Sequence, residues 1–332
     1  MKRKLAFLLM LCFGWSFFLN GCGGTLPKTD DRLQVVCTIF PEYDWARQLT
    51  QGVDNVDLTL LVKNGTDLHS YQPSVRDIAM IARADVFCYV GGVSDTWVND
   101  VLDTTENRTA QLVSMAEAAD ADEEVLAEGM QAEHEHEHEH EHHDDESDSH
   151  EEPPELDEHV WLSLRRAALA CTAMKEALCK ADPAHEDIYN QNCTDYLQKL
   201  QELDSDFTEM TSQAARDTIV VADRFPFRYL AEDYGLTYYA AFPGCSAETE
   251  ASFETIVFLS EKVESLHLPC VLVTEGSNSS LAKTILENAG SDGKILTLQS
   301  LQAVSQKEID AGVTYLSKMQ ENYDVLKQAL NS

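Results

Sequence analysis

Two histidines and two carboxylates stand where loops follow apolar runs. His69 lies in GTDLHSYQPS, shortly after an apolar run that ends at residue 62, and His159 lies in DEHVWLS, where a helix-like stretch begins. Asp223 follows TIVVA and Glu275 closes PCVLVTE. Two neutral imidazoles with one or two carboxylates, each from a different loop, make a four-ligand set suited to zinc or, with more oxygen, to manganese. Each histidine alone reads equally well as a loop residue hydrogen-bonded to backbone; their joint placement favours a cation. Catalytic use is not expected. H-E-x-x-H occurs only inside the histidine–glutamate repeat at 134–142, and the chain has no G-x-S-x-G and no glycine loop that could cradle phosphate, so a helix-borne histidine pair with a general base beside an open metal position is not indicated.

A second set of histidines has a different character. Within AEHEHEHEHEHHDDESDSHEE (132–152) stand His134, His136, His138, His140, His142, His143 and His150, seven of the chain's eleven. Histidine alternating with glutamate buries no apolar face as strand or helix, so a disordered, solvated loop is expected. Histidines at i and i+2 on such a chain can still close around a cation that the carboxylates keep nearby, which makes auxiliary metal capture the expected role. Residues 117–158 hold 20 Asp and Glu and no Lys or Arg, more than half of a net charge of −34. Such a surface repels nucleic acid and anionic lipid and attracts cations.

The N-terminus reads as an export signal. Lys2, Arg3 and Lys4 precede LAFLLMLCFGWSFFL, an apolar run short for a membrane span. Leu19-Asn20-Gly21-Cys22 resembles the bacterial lipobox, which implies a mature chain that begins at a lipidated Cys22 and is held on the extracytoplasmic face of the cell membrane, with residues 22–32 as a flexible tether. Seven further cysteines contain no C-x-x-C pair and are expected to be mostly small buried hydrophobes.

These residues need a scaffold, and the pattern behind them alternates. LQVVCTIF, VDLTLLV and DVFCYVGG read as strands separated by helical stretches, and TIVVAD, LTYYAAF, PCVLVTE and KILTL repeat the alternation later. Strand–helix–strand order implies parallel sheets. The expected fold is α/β: two parallel-sheet lobes joined by a long rigid helix, with the site in the cleft between them. The expected segments are a signal peptide (1–21), the tether, a first lobe (33–116), the acidic loop (117–156), the end of the first lobe (157–182), a linking helix (183–215) and a second lobe (216–332). Ligands of such sheets bind beyond the carboxyl ends of the strands, here after residues 62, 92, 223, 242 and 275.

Three segments carry a resemblance. DLHSYQPSVRDIAMIARADVFCYVGG, DEHVWLSLRRA and GCSAETEASFETI are similar, in order and spacing, to the zinc- and manganese-binding lipoproteins that serve bacterial ABC importers, and the likeness runs over the mature chain. The resemblance implies a monomeric carrier whose transported ligand is Zn2+, with Mn2+ as the alternative, and whose partner is an ABC permease in the membrane. By matching positions, His69 and His159 are its first two ligands, and a histidine-rich loop between them is common in the zinc-type branch. The chain departs from the pattern at Arg224, which stands where many zinc-type members have a third histidine, and LTLQSL (296–301) lacks the aspartate that manganese-type members often carry. The implied ligand set is His69, His159, Glu275 and Asp223, with Arg224 paired to a ligand carboxylate or a cleft acid.

Overall fold

The computed structural model describes residues 32–63, 65–105, 109–130, 156–246 and 250–331. Cys22 and the histidines from His134 to His150 lie outside them. The first lobe comprises β1 (Leu33–Cys37), α1 (Phe40–Leu49), β2 (Val56–Leu60), α2 (Val75–Ile81), β3 (Val86–Tyr89), α3 (Trp97–Thr104), β4 (Gln111–Ser114) and α4 (Met115–Ala118). Next come α5 (Leu164–Ala181) and α6 (Glu186–Ser212), then β5 (Thr218–Phe225), α7 (Arg228–Asp233), β6 (Thr237–Pro243), α8 (Phe253–Ser265), β7 (Cys270–Thr274), α9 (Ser280–Asn288), β8 (Lys294–Leu298), α10 (Gln306–Asp310) and α11 (Tyr315–Asn331).

The strands form two four-stranded parallel sheets, ordered β2-β1-β3-β4 and β6-β5-β7-β8. The two orders are the same topology, so β2 and β6 hold equivalent places, as do β1 and β5. The strands at the centre are nearly continuous apolar runs, Leu33–Cys37, Val86–Tyr89 and Cys270–Thr274, because helices cover both faces of each sheet.

The linking helix α6 has 27 residues, a length of about 40 Å at a rise of roughly 1.5 Å per residue. Its buried residues Tyr189, Cys193, Tyr196, Leu200, Leu203, Phe207 and Met210 alternate spacings of four and three, a single apolar stripe that packs on α5, α1 and α11. The last helix, grouped with the second lobe on sequence, also returns to the first: the Tyr315 N–H donates to Asp44 Oδ2 at 2.7 Å, Arg47 Nη2 donates to the Val313 carbonyl at 2.9 Å, and the Tyr315 and Trp45 rings meet edge to face at 5.2 Å.

Three elements of the first lobe, α3, β4 and α4, have no counterpart in the sequence reading, and β5 runs two residues beyond the expected 218–223. A register shift between Val221 and Arg224 marks a bulge there, and bulges re-aim side chains at strand ends. Cys37, Cys88, Cys171, Cys193 and Cys270 are buried free thiols, and Cys179 and Cys245 are half-buried free thiols. Among the described residues no helix is long and apolar enough to cross a membrane.

Candidate metal centre

The same local device presents both histidines. Asp67 and Asp157 each stand two residues before a histidine, and each accepts that histidine's backbone N–H on Oδ1, at 3.0 Å for His69 and 3.1 Å for His159. Such Asx turns fix the backbone of a short polar segment without a sheet or helix partner. A fully buried neighbour pins each turn: Leu68 before His69, and Val160, Trp161 and Leu162 after His159. The two imidazoles face each other with centroids 5.6 Å apart, and Trp161 lies behind His159 at 5.2 Å.

The hydrogen bonds assign the tautomers. His159 Nδ1 donates to Asp157 Oδ1 at 2.9 Å. His69 Nδ1 lies 2.8 Å from Ser94 Oγ, whose single proton is directed at Glu158 Oε1, so Ser94 accepts from the ring. Glu158 is in turn held by the Ser94 backbone N–H at 3.0 Å and packs so tightly against Gly92 that a side chain there would run into it. Both rings therefore carry their proton on Nδ1. Both Nε2 atoms are buried and without a partner. A buried lone pair with nothing to accept is costly in a protein that never fills it, and an imidazole anchored through Nδ1 with Nε2 free is the usual form of a metal ligand.

The electrostatics fit a cation. Burial, then the charge of neighbouring His159, pushes the His69 pKa down to about 4, so its ring is neutral at physiological pH. Burial works the other way against His159, but the hydrogen bond and charge of Asp157, with Glu158 and Glu124 behind it, raise its pKa. Burial raises Glu158 as well, partly offset by His159 and Ser94.

Among the described residues, one group of three or more His, Cys, Asp and Glu side chains has donor atoms within 4.8 Å of one another: His69, Glu158 and Cys245. Cys245 follows β6, and its backbone N–H donates to Glu124 Oε1 at 3.2 Å. Burial, then Glu158, Glu124 and Asp157, raises the pKa of its thiol.

Asp223 and Glu275 are not in that group. Asp223 lines a cavity of about 400 Å3 together with Asp67, His69, Arg224 and Thr274. Its Oδ2 accepts from Thr274 Oγ1 at 2.8 Å and Oδ1 from the Arg224 N–H at 2.9 Å. Both oxygens of Glu275 are taken by Ser300, by its N–H and its hydroxyl, each at 2.6 Å. Arg224 reaches across to the first lobe and pairs with Asp67 Oδ2 at 2.8 Å. Burial opposes ionisation of Asp67, but the bond from Arg224 and its charge hold the carboxyl below the usual range. The pair is about one-third exposed on each side, which limits it to about 1 kcal/mol. Sequence reasoning did not name Ser94, Asp157, Glu158 or Cys245 as site residues, although Ser94 and Cys245 each closely follow an apolar strand and Asp157 and Glu158 stand in the segment that carries His159.

Comparison with known proteins agrees with this architecture. The family ZnuA, described as zinc-uptake complex component A, periplasmic, matches residues 35–329. The chain is 31% identical over 328 residues to the zinc-binding lipoprotein AdcA of Streptococcus pneumoniae, covering 99% of this chain but 61% of that protein's length. It is 30% identical over 329 residues to the high-affinity zinc uptake system protein ZnuA of Bacillus subtilis, covering 98% of this chain and 96% of the relative. The crystal structure of the Zn(II)-bound ZnuA-like domain of S. pneumoniae AdcA superposes with a TM-score of 0.69 at 29% identity, over 91% of this chain and all of that domain. Its two-lobed fold, the facing histidines and a match that runs nearly end to end make this chain a member of the ZnuA family, the periplasmic component A of zinc-uptake complexes.

Proposed function

We propose that the protein captures Zn2+ outside the cytoplasm and delivers it to an ABC permease, acting as a carrier rather than an enzyme. The observation that carries this reading is the pair of facing imidazoles, each anchored through Nδ1 and each with a buried, unpartnered Nε2. His69 and His159 are its first two ligands. Zinc is favoured over manganese because imidazole suits zinc whereas carboxylate and water suit manganese. Asp223 and Glu275 are the carboxylates of the second lobe that would complete the set, Asp223 by leaving Thr274 and Glu275 by leaving Ser300.

The remaining parts follow from the sequence. Lipidated Cys22 would hold the carrier at the membrane beside its permease, and His134, His136, His138, His140, His142, His143 and His150 would gather zinc weakly before it reaches the cleft. The test is the metal content of the purified mature chain after growth in mixed metals. One tightly held zinc per chain supports the reading; a metal-free protein insensitive to chelators overturns it.

A further inference from the structure

The geometry points to Cys245 as a zinc ligand, the donor from the second lobe that joins His69 and His159. This rests on the carrier reading above but departs from its carboxylates. The sulfur, a ring nitrogen of His69 and a carboxylate oxygen of Glu158 already lie within 4.8 Å of one another. In a tetrahedral shell with Zn–N near 2.0 Å and Zn–S near 2.3 Å, neighbouring donors stand about 3.5 Å apart. A gap of up to 4.8 Å between Cys245 and His69 closes with a shift of about 1.3 Å, whereas Asp223 already accepts three hydrogen bonds, two from Thr274 and one from the Arg224 N–H, and Glu275 accepts two.

Two further observations aim this thiol at the histidines. Gly244 packs directly on the His159 ring: a Cβ there would lie 2.9 Å from Cε1 and 3.0 Å from Nδ1. The turn that carries Cys245 is therefore seated against an imidazole that is fully buried and has an unpartnered Nε2. The topology explains the meeting. His69 follows β2 and Cys245 follows β6, equivalent strands of two sheets with the same order, so the two loops occupy matching places at the carboxyl edges. Arg224, standing where an imidazole was expected, is paired with Asp67 and offers a metal no donor.

A thiolate changes what the site prefers. Thiolate is soft and selects zinc strongly over manganese; a carboxylate in its place relaxes that preference. The experiment uses the whole mature chain and compares wild type with Cys245→Ser, Cys245→Asp and Glu275→Gln. Zinc affinity is measured by competition with a chelator, manganese affinity in parallel, and the Co2+-loaded proteins are examined for sulfur-to-cobalt charge-transfer absorption. Loss of a residue that merely supports a ligand costs roughly 10–100-fold in affinity, so Cys245→Ser should cost more than about 100-fold. Cys245→Asp should narrow the zinc-to-manganese ratio, and the charge-transfer band of the wild type should vanish in both variants. A wild type that binds zinc without such a band, or with affinity unchanged in Cys245→Ser, overturns the inference and leaves the carrier reading standing. A wild type that binds no metal overturns the carrier reading itself. Unfolding of the metal-free chains is followed alongside; a Cys245→Ser chain that fails to fold leaves the cobalt spectrum of the wild type to decide.

Discussion

Asp157→Asn tests whether the anchoring of His159 matters to metal binding. Asp157 Oδ1 accepts from His159 twice, from the backbone N–H at 3.1 Å and from Nδ1 at 2.9 Å, and neither residue is more than 2% exposed. Asparagine preserves the size and an acceptor oxygen, so the turn survives and only the charge is lost. A hydrogen bond to a charged group contributes about 1.5–3 kcal/mol against about 0.5–1.5 for a neutral one. The imidazole thus loses about 1–1.5 kcal/mol of orientation and electron push, close to tenfold in zinc affinity. Asparagine can also flip and offer its NH2 to Nδ1, which would turn the tautomer over, place the proton on Nε2 and carry the loss toward the upper end of roughly 10–100-fold. The assay is chelator competition at neutral pH, with circular dichroism of the metal-free chain as the control for folding. Unchanged affinity in a folded variant refutes the reasoning, and a loss as large as that of His159→Ala refutes it differently, by placing Asp157 on the metal.

Other outcomes are expected alongside. His69→Ala and His159→Ala should each weaken zinc binding by at least about tenfold, roughly 1.4 kcal/mol; unchanged affinity in a competition titration removes that residue from the site. If Glu275 is a ligand and Asp223 is not, Glu275→Gln should cost more affinity than Asp223→Asn, and the reverse order places the oxygen ligand on β5. Deleting residues 132–152 should abolish weak additional zinc sites and leave the tight one, as read by stoichiometry in equilibrium dialysis; loss of the tight site would put the loop in the primary shell. Glu42, buried and bonded to the N–H groups of Thr38 and Ile39, has its pKa raised to about 8 by burial and then by Asp95. A raised carboxyl contributes stability that is present below its ordinary value and lost as pH climbs through the folded one. The unfolding free energy of the metal-free wild type, from denaturant titration, should therefore fall between about pH 5 and about pH 9 relative to Glu42→Gln, by at most about 5 kcal/mol; parallel curves for the two proteins would sink this account.

The parts of the fold that a sequence reveals are those whose burial leaves a local trace. Strands such as Val86–Tyr89 and Cys270–Thr274 are covered on both faces and show as apolar runs, and α6 shows as a stripe with seven-residue period. β4 leaves little trace, because Gln111–Ser114 is four residues long at a sheet edge and buries only Val113. The continuation of β5 is concealed by its own bulge: Asp223 and Arg224 interrupt the apolar run as a turn would, although the strand goes on to the buried Phe225. Boundaries at functional ends of strands are where polar residues replace the pattern that reveals the strand.

The site divides in the same way. His69 and His159 could be picked out because each follows or begins a recognisable element, but what orients His69 is non-local: Ser94 reaches His69 across 25 residues and Glu158 across 64. Cys245 was read as a small hydrophobe since no second cysteine stands near it in sequence, and only the equivalence of β2 and β6 brings it opposite His69. This placement has a consequence for release. Both imidazoles stand in the first lobe's part of the chain on Asx turns with buried neighbours, but the second lobe also seats His159: Gly244 packs on its ring, the Tyr229 hydroxyl donates to the Asp157 carbonyl at 2.7 Å and Trp161 Nε1 donates to the Ser300 carbonyl at 2.8 Å. Among the contacts across the cleft, that of Arg224 to Asp67 is partly exposed and weak, and Asp67 is also the residue that fixes the His69 turn. In the carrier reading proposed above, separation of the two lobes would remove the second lobe's donor, free one oxygen of Asp67 and release the packing of Gly244 on His159. A zinc ion left on two imidazoles is under-coordinated and exchanges readily with water or with the ligands of a permease, which is the state a carrier must reach at the membrane and avoid before it.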